Sequence, residues 1–435
     1  MMPEAGRERN NSAEKTERKS NRGKKRICIA VTEDDYHAVI EDSDAFRAML
    51  DKKIMEYPAL FPPDISQGYK LNGWVTESKK ISDVRMRRIC LCSLDNEGKQ
   101  QVYNIAPSFV MPYMTGYTED VEKALFLHEK FGVPFWGLTY VFGSYDSYWE
   151  RMATSLGGYH LVGTTVQDPD KLPEDLLADE KHTKFNGEKV YIATTVGNDC
   201  VLGVSLAADA GEKSLTESYG QFQKEVQEVK PDYQPKTVNT DGWLSTFLAW
   251  KKIFPQVTIL LCFLHSFIKI RSCSKRFQDT FAIIGDKVWD IYHSPDKKTF
   301  RTRVSALSLW SKQNTTGTTL DAILKLCSKV DDFAKAYDFP SAHRTSNMID
   351  RHMEPMARFL YSTRYFHGHM NSAEMSIRAW ALTHNFLPYC PRAKIANEYI
   401  SPAHKLNGFV YHENWLQNLL VSASMGGCFT SNTIP

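Results

Sequence analysis

The alternation of apolar and polar positions is clearest from Leu176 onward. LLADEKHTKF runs into Asn186-Gly187, a strong hairpin signal. VYIATTV follows, then the turn Gly197-Asn198-Asp199, then VLGVSLA. This pattern predicts three strands in an antiparallel meander. A polar helix is expected from about Leu215 to Val229, where Lys230-Pro231 stops it. The short strand TVNTD, the helix GWLSTFLAWKKIF, the strand QVTILLC and a helix beginning near His265 come next. Residues 275–340 read as helix with polar loops, as in KVWDIYHS, FRTRVSALSLWSK and LDAILKLCSKVDDFAKAYDF. Two more helices are expected in RTSNMIDRHMEPMARFLY and NSAEMSIRAWALTHNFLPY, the second ended by Pro388 and Pro391. HENWLQNLLVSASM predicts one amphipathic helix near the end.

The first half is less regular. Residues 26–117 mix short strand-like runs, such as RICIAV and DVRMRRICLCSL, with turns. Arg85, Arg87 and Arg88 suit a phosphate-facing edge, but their alternation with Val84, Met86 and Ile89 better fits a half-buried strand. TEDVEKALFLHEKF predicts a helix with Thr118 as its cap and acids in its first turn. Gly132-Val133-Pro134 breaks it, FWGLTYVFG forms a short second helix, and SYDSYWERMATSLG a third. Over 118–160 this is the order of a helix-turn-helix unit, which would present Tyr145, Ser147, Tyr148 and Arg151 to a DNA groove. A plain three-helix packing unit satisfies the same spacing. Residues 158–173 read as a linker.

Composition narrows the classes. The chain has 435 residues, 42% of them hydrophobic and 12% aromatic, enough for two or three packed domains. The net charge of +2 excludes a globally basic protein, so any nucleic-acid surface must be a local patch. Residues 1–25 hold eight Lys/Arg against four Glu and almost nothing apolar, which predicts a disordered basic tail. Nine scattered cysteines argue for reduced thiols rather than a disulfide framework. No apolar run reaches the roughly 18 residues of a membrane span, and no apolar signal core opens the chain, so a soluble intracellular protein without membrane contact is expected.

Three antiparallel strands followed by alternating helix and strand is the order of an RNase H-like α/β core. In that order LLAD brings Asp179 and VNTD brings Asp241 to strand ends that neighbour each other. Two carboxylates there repel unless a divalent cation lies between them, and a third acid allows two ions and chemistry at phosphorus. Taken singly, each Asp is also an ordinary helix cap. Cys262 and His265, three apart, invite a zinc reading, but zinc needs a second pair and none stands at a plausible spacing, nor does Cys90-x-Cys92 find one. A thiol nucleophile with its base so close on one turn rarely has useful geometry. Cys262 is read as a buried strand residue. His265 lies beside the acidic pocket, either bonding an acid or DNA or serving only structure, with Lys269 and Arg271 toward phosphates.

Taken together, ADEKHTKFNGEKVYIATTV, VNTDGW, CFLH and RTSNMIDR, in that order over about 175–390, resemble the DDE transposases of the Mutator-like group and related bacterial insertion-sequence transposases. The resemblance implies an RNase H-like core with a mixed five-stranded sheet and flanking helices, interrupted by an all-helical insertion and preceded by the helix-turn-helix region. Its parts would be 170–274, the insertion 275–340, the last catalytic helices 341–390 and a helical tail 391–435. It assigns Asp179, Asp241 and Asp350 as catalytic metal ligands. The last acid of that group is normally Glu, so Glu354, one turn later, is a rival and Glu374 a weaker one. It further implies two Mg2+ ions, with Mn2+ as substitute, and double-stranded DNA as partner, both terminal inverted repeats and target. Arg344 and Arg351 would flank the third acid toward phosphates, after a Thr345-Ser346-Asn347 cap. Cleavage of element ends, transfer of the 3′-hydroxyl, a dimer or larger assembly, and a DNA-associated place in the cytoplasm of a bacterial or archaeal cell complete the expectation. A domesticated relative that binds DNA without cutting is the alternative.

Overall fold

The computed structural model describes residues 24–95, 97–274 and 278–428. Nearly all of the basic tail lies outside them. Among the described residues two sheets form. In the first, β1 (Arg26–Ile29) runs parallel to β4 (Gln100–Pro107), which pairs antiparallel with β3 (Arg87–Leu94), and β3 with β2 (Tyr69–Trp74). Helices α1 (Glu33–Ile40) and α2 (Ser43–Glu56) bring Tyr36, Ile40, Phe46 and Leu50 into one core with Ile27, Ile89 and Ile105. The arginine run is structural. Arg87 is buried and donates to the carbonyls of Ile40 and Glu41 at the end of α1, while Arg85 pairs with Glu41. A cation at a helix C-terminus completes carbonyls that lack partners.

Three helices follow as their sequence predicts: α3 (Thr118–Phe131), α4 (Phe135–Phe142) and α5 (Asp146–Ser155). Tyr117, not Thr118, occupies the cap of α3, so Thr118 sits buried inside the first turn. Gly132 takes the left-handed conformation at the end of α3 (φ 68°), a position glycine fills without strain. The segment read as a linker is packed instead. It carries α6 (Leu161–Thr165), all of whose residues are buried. A stretch built from Leu, Val and Thr cannot remain a solvated connection once apolar neighbours are within reach.

The second sheet is formed as the apolar alternation predicts. β5 (Asp175–Phe185), β6 (Glu188–Gly197) and β7 (Cys200–Ala207) are an antiparallel meander. Asn186 and Gly187 join the first pair with φ of 50° and 88°, the left-handed pair that suits strand twist. After α7 (Glu212–Val229), β8 (Thr237–Thr240) returns parallel to β5. After α8 (Leu244–Ile253), β9 (Thr258–Leu261) lies parallel to β8. The order is β7-β6-β5-β8-β9. Leu176 and Ala178 face the core under α7 and α8, whereas Leu177 joins the core that holds the first sheet.

α9 (Phe263–Ser274) leads out of the sheet into a helical bundle of α10 (Gln278–Tyr292), α11 (Lys297–Asn314), α12 (Gly317–Ser328) and α13 (Val330–Ala334). The bundle has its own core, to which Phe263 and Ile270 already belong, so it begins earlier than the sequence boundary at 275. The chain re-enters the α/β unit through α14 (Asn347–Ser362) and α15 (Met370–Phe386). Ile349, Met353 and Met356 of α14 share the core of Leu177, Ile192 and Val196 on the face away from α7 and α8.

The C-terminal helices are not an appendage. α16 (Pro391–Asn397) and α17 (Pro402–Asn407) lead to α18 (Trp415–Ser422), which is buried on nearly all sides rather than amphipathic. Leu416 and Leu419 pack in the core of β1, and the Cys28 N–H donates to Ser424 Oγ at 3.1 Å, across 396 residues. The Ser424 hydroxyl donates in turn to the Leu60 carbonyl.

Candidate active site

Strand register sets the site. Leu177 pairs with Asn239, and Asn239 with Leu260. Two residues further along each strand, on the same face, come Asp179, Asp241 and Cys262. On the other side Asp179 pairs with Thr194 of β6. The β5–β8 pairing ends at Leu177–Asn239, and beyond it the charges of Asp241 and Asp350 both act on the Asp179 carboxyl. β5 does not end at Asp179 as LLAD suggests. It continues to Phe185, while β8 stops at Thr240, so Asp241 begins the turn at the carboxyl end of the parallel strands. There Gly242 turns the chain with φ 85°, and the Trp243 N–H donates to Asp241 Oδ1 at 2.9 Å.

Alternation sends the neighbour of Asp179 to the opposite face. Glu180 accepts the Tyr219 hydroxyl of α7 at 2.8 Å and the Thr246 hydroxyl of α8 at 2.6 Å. Burial pushes Glu180 up to about 7, against the pull of those two donors. Asp179 rises to about 6, first through burial, then through the negative charges of Asp241 and Asp350, partly offset by the Glu180 N–H and by His265.

Asp350 comes from the first turn of α14. It is exposed and accepts the Ser346 hydroxyl at 2.8 Å. Ser346 holds the N-cap position, as the motif suggests, but its side chain does not cap the helix. It ties Asp350 to the end of β9 instead. Its N–H donates to Cys262 Sγ at 3.2 Å, the Cys262 thiol lies 3.3 Å from Ser346 Oγ, and His265 Nδ1 lies 3.5 Å from the same oxygen. The bond with Cys262 raises His265 to about 9, opposed by burial and assisted by the charges of Asp179 and Asp241. Burial alone would raise the Cys262 thiol, but hydrogen bonds from His265 and Ser346 outweigh it and lower it.

The other sequence candidates are scattered. Glu354 is 77% exposed and lies near Arg358 on the outer side of α14. Glu374 accepts the Leu206 N–H on β7, at the far edge of the sheet. Lys269 and Arg271 are exposed on α9. Arg344 is half-buried just before α14, and Arg351 is exposed, 3.8 Å from Asp199. In the three-helix region Ser147 is exposed. Arg151 lies over the Tyr145 ring and donates to its hydroxyl at 2.7 Å, whereas Tyr148 is half-buried against the core. α5 packs against α15 as well as α4. At its end, a Cβ on Gly157 would come within 1.9 Å of the Met375 carbonyl, so glycine is required for that approach.

The hydrogen bonds the central acids accept come from the N–H groups of Glu180 and Trp243 and the Ser346 hydroxyl, and His265 adds its charge near Asp179. Three coupled carboxylates of this kind suit a hard, oxygen-seeking divalent cation. Each carboxylate is turned toward its local donor, and among the described residues no three Asp, Glu, His or Cys side chains already converge around a point. Sequence reasoning missed the Ser346 link and the Glu180 clasp. A serine four residues before an acid on one helix face was the available signal for the first.

Comparison with protein-family models and with curated proteins finds no match for this chain.

Proposed function

We propose that the protein is a metal-dependent DNA strand-cleaving and strand-transferring enzyme of the DDE transposase type, built on an RNase H-like core. The observation that carries this reading is that β5 and β8, paired through Leu177–Asn239, lead to Asp179 and Asp241, and that the charges of Asp241 and Asp350 both act on Asp179. The sheet order, with three antiparallel strands followed by two parallel ones, and the helical bundle between β9 and α14 support it.

Asp179, Asp241 and Asp350 would hold the cation. Bound there, Mg2+, or Mn2+ in its place, would neutralise charge at phosphorus and activate the attacking oxygen. The protein supplies the rest. The sheet fixes two carboxylates against mutual repulsion. Ser346 orients the third. His265, pushed up to about 9 by its bond with Cys262 and by the charges of Asp179 and Asp241, would offer a donor to a leaving oxygen. Hydrolysis at an element end and attack by the freed 3′-hydroxyl are both in-line displacements at phosphorus, so one site serves both. Holding two ends together requires a dimer or larger assembly, and the α3–α5 unit is the candidate for reading terminal repeats. Among the described residues no helix is long and apolar enough to cross a membrane.

The test is cleavage of an end-containing duplex in Mg2+ by wild type, Asp179→Asn and Asp241→Asn. The expected loss is at least about a thousandfold, roughly 4 kcal/mol. Undiminished cleavage in either variant overturns the assignment. One observation favours a second reading, a DNA-binding relative that does not cut. The third acid is the shorter Asp, and it is tied to Ser346. Duplex binding by wild type without cleavage under any divalent ion would select it.

A further inference from the structure

An open cleft of about 320 Å³ lies between the segment that leads into α14 and Tyr292 of the helical bundle. Tyr292, His343, Arg344, Asn347 and Arg351 line it. The guanidinium of Arg344 is fixed before any ligand arrives. It lies 4.9 Å from the Tyr292 ring centre and 4.6 Å from that of Tyr337, and it donates to the Tyr337 hydroxyl at 3.0 Å. The backbone on either side is also held. The Arg344 carbonyl accepts the Phe263 N–H, and the His343 carbonyl accepts the Asn239 amide. Among the described residues no carboxylate stands within ion-pair distance of Arg344. A half-buried guanidinium clamped by two aromatic faces, with no acid to neutralise it, is preorganised for an anion. Arg351, the neighbour of Asp350, adds a second positive charge at the mouth of the cleft.

We infer that this cleft is a phosphate subsite, which grips the DNA backbone next to the phosphate acted on at Asp179, Asp241 and Asp350. The inference rests on the nucleic-acid reading above and adds a role for the bundle. Tyr292 at the end of α10 and Tyr337 just after α13 both belong to it. The insertion therefore builds one wall of the substrate channel. A flat, bidentate donor held against tyrosine suits a phosphodiester oxygen pair, and a lysine in its place would keep the charge but lose the stacked plane.

The experiment uses the full chain with Ca2+ in place of Mg2+ and a fluorescently labelled DNA duplex, with affinity measured across a salt series. Arg344→Gln is expected to weaken binding about tenfold and to make the dependence of log K on log salt shallower by about one. Arg344→Lys, which guards against misfolding of the first variant, should keep the slope and lose part of the affinity. Equal affinity and slope in wild type, Arg344→Gln and Arg344→Lys would overturn the subsite while leaving the cleavage reading intact, since Asp241→Asn tests that separately. Failure of the wild-type chain to bind any duplex would overturn the subsite together with the function proposed.

Discussion

Glu225 and Asp179 are both carboxylates withdrawn from water, and their surroundings are opposite. Glu225, on α7, receives Arg378 at 2.6 Å, the N–H groups of Leu161 and Val162, and the Gln221 amide. Burial pushes it up, but Arg378, His160 and these donors outweigh that and bring it down to about 2. For Asp179 the charge of His265 offsets burial only in part, and the carboxyl stands at about 6. The first cluster is complete within the chain. It joins α6, α7 and α15, and Arg378 reaches on to the carbonyls of Gly157 and Tyr159 below α5. The second is left electrostatically unfinished. A protein keeps such repulsion where something from outside is meant to resolve it.

The contrast can be broken from either side. Arg378→Ala would strand a buried charge and should cost roughly 3–5 kcal/mol in urea unfolding. Restoration of part of that loss by a further Glu225→Gln change would show that the uncompensated charge is the cause. A loss below about 1 kcal/mol would refute the comparison. Glu225 also sets an acid limit. Its folded value lies below the ordinary 4.5, so its contribution is complete above about pH 4.5 and disappears as pH falls toward 2.

Asp179 behaves in reverse. Its folded value of about 6 exceeds the ordinary 3.8, so its relative contribution is complete below about pH 4 and lost as pH rises through 6. Without divalent ions, Asp179→Asn should therefore be more stable than wild type above pH 6, by roughly 1–3 kcal/mol, and no more stable below pH 4. Thermal midpoints across pH would show it, and a pH-independent difference would count against it. His265→Ala, with folding verified, should lower cleavage about tenfold more than duplex binding, near 1.4 kcal/mol. Equal losses would make His265 purely structural. The smallest effect is expected at Glu354→Gln, within about 0.5 kcal/mol in stability and without loss of cleavage. A large loss would transfer the third-acid role from Asp350.

The second sheet was legible because its signals are local. Period-two alternation, Asn186-Gly187, and the apolar strands QVTILLC and VLGVSLA each specify their own conformation, and the order of elements then pairs β5 with β8 through Leu177–Asn239. What escaped depends on partners distant in the chain. Residues 158–173 have a linker's turn residues, yet α6 is buried because α7, α15 and the Gly427 region close over it. Ser346 has the composition of a helix cap, but Cys262 and Asp350 claim its hydrogen bonds. Arg344 looks like a solvated cation until Tyr292 and Tyr337, brought from the bundle, enclose it.

The seam between β1 and the segment around Ser424 bears on how the molecule comes into being. A ribosome delivers β1, α1 and α2 long before α18 exists, yet Ile27 and Ile29 share their core with Leu416 and Leu419. Until α18 emerges, the sheet of β1 lacks one of its covers and the Cys28 N–H its partner at Ser424. Such late closure exposes apolar surface to chaperones throughout synthesis. It also means that a chain cut before Trp415 would lose the cover of the β1 sheet while leaving the helical bundle's own core intact.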